Sequence, residues 1–213
     1  MSAAVPDAGQ VAEFLFVASQ NPGSLQAFQI DGKGALSPVT GSPFAIGDTP
    51  RKIISSGDSL IVAGTAAIIV FQVDKVSGAL RQTDSVVAAS ADVVLDPATE
   101  VLRSTANGET TSYRLVKGLL KIVGIKIVGI KTVGSSTAIQ NKALMISPAR
   151  GPLSGLLGQN AVTDATGKFA YALNPKTNQI DAFSFGSDRN LTPLNPPAYP
   201  VGNGAVSIAL VAP

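Results

Sequence analysis

Acid–base or nucleophilic chemistry in this chain would have to rest on carboxylates, hydroxyls, lysines or arginines, because the sequence contains neither histidine nor cysteine. Their absence excludes an ordinary Ser-His-Asp triad, a thiolate nucleophile, thiolate metal ligation and disulfides. No Gly-x-Ser-x-Gly elbow and no Ser-x-x-Lys pair occurs. Asp96 and Asp164 are the best-placed carboxylates for a general acid/base pair. Each falls at a strand-to-strand turn, however, where an aspartate is expected to hydrogen-bond its own backbone. Asp31 and Asp74 end their strands alike and invite a calcium reading, but neither sits among several clustered oxygen ligands. Turn capping is the expected role of both, and no metal or cofactor is expected. The glycine-rich run at 151–158 lacks the Gly-Lys-Ser/Thr ending of a phosphate loop and reads as a connector. Asn190-Leu191-Thr192 matches a glycosylation acceptor and reads as a surface turn.

The elements that would position such groups repeat along the chain. Phe28, Phe71, Tyr113 and Phe183 each close a short strand, and they lie 43, 42 and 70 residues apart. A turn follows each aromatic, then a leucine (Leu36, Leu80, Leu120, Leu191) at 8, 9, 7 and 8 residues. An apolar strand precedes each aromatic: 14–19, 60–64, 101–107 and 169–174. Further β-like runs at 52–56, 91–95 and 156–162 precede three of these. Four strand slots in about 43 residues make one propeller blade, whose two apolar faces are buried by stacking on its neighbours. The last run, 205–211, occupies the opening slot that the first blade lacks, so the two ends of the chain are expected to pair as Val206–Val211 with Phe14–Val17.

The long third step holds a tandem repeat, KIVGI KIVGI KTVG at 121–134. Its β-branched content favours strand, its edge would be prone to pairing, and Lys121, Lys126 and Lys131 act as gatekeepers. The expected organisation is a tail over 1–11 and one domain over 12–213. Its repeats fall near 12–50, 51–89, 90–135 and 154–213, with an irregular low-complexity insertion near 119–160. A strand candidate at 142–147 leaves open whether that insertion is a degenerate fifth blade or a crossover.

Composition agrees with an all-β fold. Hydrophobic residues reach 45% but charged ones only 14%, and 21 glycines and 14 prolines are spread along the chain. The net charge of +2 is dispersed, which argues against a nucleic-acid partner. No apolar run is long enough for a membrane span. The opening MSAAVPDAGQ lacks a signal-peptide layout, so the expected location is cytoplasmic, or extracellular or periplasmic if a leader has been removed.

Phe14 to Ala18, Leu25 to Asp31 and Gly34 to Phe44 together resemble blades of the lactonase-type seven-bladed propellers, which include phosphogluconolactonase-like and muconate-cyclase-like proteins. Asp164 to Tyr171 through Phe183 is similar to another such blade. The resemblance implies an all-β propeller-like array of four-stranded antiparallel blades. Seven blades of this period would need about 300 residues, so four or five blades are expected here, in a small or partial ring. In that family lactone hydrolysis is associated with acidic, basic and histidine side chains around a central channel, and histidine is missing.

Propeller geometry gathers the loops leaving each second strand, and those entering each blade, at one channel end. That places Gln20, Asn21, Thr65, Asn107 and Asn174 together, with Arg51 and Arg103 adding charge, as the candidate ligand-binding residues. The same residue types are ordinary turn formers. The first functional reading is a non-catalytic propeller-like module that binds a protein partner or self-associates. The alternative is a lactonase-like hydrolase or cyclase that acts on a small lactone or sugar acid through Asp, Glu and Arg without His. A third reading is a structural protein whose segment 121–134 pairs with other chains.

Overall fold

The strand cores at 14–18 and 60–63 are apolar at successive positions, the pattern of strands covered on both faces. A computed structural model describes residues 13–88, 92–96, 98–106, 109–127, 160–187 and 190–212, and contains strands and turns with no helix among them.

Four antiparallel sheets form the blades. Blade 1 has the order β17 (Ala205–Val211), β1 (Glu13–Gln20), β2 (Gly23–Ile30), β3 (Leu36–Pro38), with β4 (Phe44–Ala45) also on β2. Blade 2 runs β5 (Pro50–Ser56), β6 (Ser59–Gly64), β7 (Ala67–Val73), β8 (Leu80–Val87). Blade 3 runs β9 (Asp92–Asp96), β10 (Val101–Ala106), β11 (Glu109–Val116), β12 (Leu119–Ile127). Blade 4 runs β13 (Ala161–Thr163), β14 (Phe169–Asn174), β15 (Gln179–Phe185), β16 (Leu191–Pro200). The ends of the chain pair as their phase predicts, with Phe14 opposite Val211 and Val17 opposite Ile208. Each repeat leucine opens or lies within the outermost strand of its blade.

Three buried layers set the spatial order 4–1–2–3. Phe14, Phe16 and Leu25 of blade 1 pack on Ile53, Leu60 and Phe71 of blade 2. The opposite face of blade 1, through Leu15, Val17 and Phe28, packs on Tyr171, Leu173 and Ile180 of blade 4. Ile61, Ile68 and Val70 of blade 2 meet Leu102, Tyr113 and Leu120 of blade 3. No strand pairing or buried layer joins blades 3 and 4 among the described residues, so the blades form an open arc. Along β10 the outward positions Arg103 and Thr105 are exposed while Leu102 and Ser104 are buried, as expected for a sheet covered on one face.

The structure turns the first part of the expected irregular insertion into regular sheet: 119–127 is the outermost strand of blade 3, with one bulge opposite Ser112 and Tyr113. The glycines of the repeat do not prevent this, because a bulge absorbs the irregularity at Val123 and Gly124. The strand candidate at 142–147, the glycine-rich run at 151–158 and the second half of the tandem repeat, 128–134, lie outside the described residues.

Candidate functional site

The first strands of neighbouring blades lie side by side, β13 with β17 and β17 with β5, and the turn between β6 and β7 meets the segment that enters β5. There the entry to blade 2 is tied down from both sides. From blade 1, Gln20 Nε2 donates to the Pro50 carbonyl at 3.1 Å. From blade 2, Thr65 Oγ1 donates to Asp48 Oδ1 at 2.7 Å. Asp48 also accepts from the backbone N–H groups of Thr49, Thr65, Ala66 and Ala67 at 2.7–3.2 Å. Burial pushes the Asp48 carboxyl up, but the hydrogen bonds from Thr65, Ala66, Thr49 and Ala67 outweigh it and hold the group below the usual carboxylate range. Gly64 makes room for this anchor, since a Cβ there would lie 2.0 Å from Asp48 Oδ2.

Arg51 sits between those two clamps. The register of β5 on β6 skips from Pro50–Gly64 to Lys52–Ala63, so Arg51 is an extra, bulged residue, and it is exposed. Blade 1 repeats the irregularity at the same slot, where the pairing passes from Ser19–Ala205 to Ala18–Ser207 and leaves Val206 as the extra residue. Of the two equivalent bulges, one presents a cation and the other an apolar side chain.

The first strands of the blades are also bonded to one another. Ile53 N donates to the buried Ser207 Oγ at 3.1 Å, and Lys52 Nζ reaches the Val93 carbonyl of blade 3 at 2.8 Å.

Gln20, Arg51 and Thr65 are therefore brought together around 48–51, with Asn21 beside Gln20, its N–H donated to the Asn203 carbonyl at 3.2 Å. Asn174 caps its own turn by accepting from Lys176 N at 3.2 Å. Arg103 is in mid-strand on the outward face of blade 3, opposite Ser112 and Val94, and not on a channel-end loop. Asn107 lies outside the described residues. Sequence reasoning passed over Asp48 and Asn178. Asn178 Oδ1 accepts from Gly204 N at 3.1 Å and Ala205 N at 3.4 Å, clamping the entry to blade 1 from blade 4 as Gln20 clamps the entry to blade 2. The signal for Asp48 was the Asp-Thr-Pro sequence just ahead of a blade's first strand.

The four aspartates singled out by the sequence act as turn caps. Asp31 Oδ1 accepts from Lys33 and Ala35, Asp74 Oδ1 from Val76 and Ser77, and Asp96 Oδ1 from Ala98. Asp164 accepts from Thr166 and Phe169 within its own turn. Among the described residues no group of three or more acidic side chains is arranged to hold a metal ion.

No protein-family model matches the sequence. No curated protein matches it. Solved structures with a similar fold include a Bacteroides fragilis protein provisionally named a 6-phosphogluconolactonase, at 18% identity and a TM-score of 0.46, covering 93% of this chain and 57% of that one. A Bacteroides uniformis protein with the same provisional name matches at 16% identity and a TM-score of 0.42, covering 88% of this chain and 51% of that one. The periplasmic gluconolactonase of Pseudomonas aeruginosa matches at 16% identity and a TM-score of 0.41, covering 92% of this chain and 56% of that one. The chain thus spans between 51% and 57% of the length of these three structures.

Proposed function

We propose that the chain is a propeller-type binding and assembly module whose docking edge is the outermost strand of blade 3. The observation that carries this reading is a run of exposed apolar side chains there: Val116 (42%), Leu119 (39%), Ile122 (61%) and Val123 (51%). Val116 ends β11 and the other three lie in β12, which has one strand neighbour, β11, among the described residues. An apolar strand edge offers unpaired backbone groups and side-chain area to a further strand. Light scattering over a concentration series tests the reading. The wild-type chain is expected to associate, and Ile122→Asp/Val123→Asp to remain monomeric, because charge on an apolar edge blocks pairing. A wild-type chain that stays strictly monomeric at high concentration, and captures no β-rich partner, overturns it.

A second reading, a lactonase-like hydrolase acting on a small sugar lactone, draws on the meeting of Gln20, Arg51 and Thr65 at one channel end. It is also the reading that the names of the similar solved structures favour over a non-catalytic module. In it Arg51 is the cation available to polarise a lactone carbonyl, while Asp48, saturated by donors, only positions the loop. Incubation with gluconolactone separates the readings. The assembly module leaves the uncatalysed rate unchanged, whereas the hydrolase accelerates it and loses roughly 100-fold or more in Arg51→Ala.

A further inference from the structure

The seam between blades 4 and 1 is bridged, at the end where β1 begins, by two hydrogen bonds with acidic side chains beside them. Glu13 Oε1, from blade 1, accepts from Ala165 N of blade 4 at 2.9 Å. Tyr171 Oη of blade 4 donates back to the Gly34 carbonyl of blade 1 at 2.9 Å. Beside Ala165 stands Asp164, a residue only 6% exposed. Its Oδ1 accepts from Phe169 N at 2.7 Å and its Oδ2 from Thr166. Those bonds fix the Asp164 side chain in its own turn, next to the Ala165 amide that Glu13 accepts from.

The surroundings supply little to offset the charge of these carboxyls. On the blade 1 side stand Glu13 on β1 and Asp31 and Lys33 in the turn after β2; on the blade 4 side stand Asp164 and Lys168 in the turn before β14, Tyr171 on β14 and Tyr199 on β16. Lys33 and Lys168 are exposed and pair with neither Glu13 nor Asp164. Tyr171 is driven strongly upward by burial, then by Asp164, Glu13, Tyr199 and Asp31, all of them acidic groups. Burial likewise raises Glu13, its bond from Ala165 N opposes the rise, and the negative charge of Asp164 adds to it.

We propose that Glu13 is an acid-set latch between blades 4 and 1: its neutral carboxyl keeps the Ala165 hydrogen bond without opposing Asp164, and losing its proton loosens the seam. The neutral form still accepts through its carbonyl oxygen, so protonation weakens the Ala165 bond without breaking it and removes the penalty that burial and the charge of Asp164 place on the anion. A carboxyl raised in the folded state contributes stability that is full below its unfolded value and is lost as pH rises through its folded value. The response therefore runs opposite to acid denaturation. The chain contains no histidine, the side chain that ordinarily titrates between pH 5 and 8, so no imidazole overlays the response of Glu13.

Hydrogen–deuterium exchange at pH 5 and pH 7, corrected for intrinsic rates, tests the latch in segments 163–171 and 31–36. In the wild-type chain both segments are expected to be several-fold better protected at pH 5. Glu13→Gln, neutral and still an acceptor, should show the acidic level of protection at both pH values. Glu13→Ala, which removes the acceptor, should expose the Ala165 amide at both. A wild-type chain whose protection here does not rise on acidification overturns the latch, and so does a pH response that survives in Glu13→Gln.

Discussion

Gly78→Ala is expected to unfold at a clearly lower denaturant concentration than the wild-type chain, at a cost of about 2–4 kcal/mol. Two penalties coincide at this turn between β7 and β8. Gly78 has a φ of +72°, where a side chain is strained. A Cβ there would also lie 2.5 Å from the ring of Phe14, which is 1% exposed, and 2.9 Å from Val39. Phe14 belongs to the layer between blades 1 and 2 and cannot retreat without disturbing Phe16, Leu60 or Phe71. Gly47→Ala is the control: its φ is +69° with nothing within 4 Å of the added carbon, so it should cost about 1 kcal/mol, the conformational part alone. Equal losses in the two variants would show that the Phe14 contact contributes nothing.

Asp48→Ala is expected to lower stability by about 2–3 kcal/mol, a sum over several charge-assisted bonds discounted for solvent access. The substitution takes the carboxylate acceptor from the N–H groups of Ala66 and Ala67, while Thr65 N keeps its bond to the Thr49 carbonyl at 3.0 Å. Urea denaturation measures the loss, and exchange at 66–67 should rise with it. Because Asp48 is held below its usual range, its contribution is present above the unfolded value and disappears as pH falls through the folded one. The wild-type advantage over Asp48→Ala should therefore shrink on acidification, opposite in sign to the effect expected at Glu13. An advantage that persists unchanged at low pH would mean that the carboxylate charge is not what holds the turn.

The aromatic-turn-leucine recurrence made the blades legible because each blade solves the same packing problem. The glycine in that recurrence has a reason visible only between blades. Gly34 meets the Phe169 ring of blade 4 and Gly78 meets the Phe14 ring of blade 1, so each positive-φ turn is pressed against an aromatic of its neighbour. At the corresponding place Gly118 meets Thr83 and Gln72 instead, and Thr83 Oγ1 donates to its carbonyl at 2.6 Å. The open end of the arc was also written locally. Residues 14–18 and 60–63 are apolar at both parities, whereas Arg103, Thr105 and Arg114 alternate with buried neighbours.

The candidate site was less legible. Gln20, Asn21 and Thr65 look the same in sequence whether they bind a ligand or clamp a loop, because either task needs a small amide or hydroxyl in a turn. Their partners, Pro50, Asn203 and Asp48, lie in other segments of the chain, so proximity had to come from packing. Arg103 lies in mid-strand rather than at a loop, a difference of the same kind: a strand's end and a sheet's outward face differ in register, not in composition.

Sequence alone determined the period, the all-β class, the pairing of the last strand with the first, and the absence of histidine and cysteine chemistry, since these depend on residue types and on spacing along one chain. Tertiary structure alone decided the order 4–1–2–3, the bulge that exposes Arg51, the donors gathered on Asp48 and the acidic seam at Glu13. Those features arise where separate blades or turns meet, and their energies depend on burial and on neighbours that no local pattern specifies.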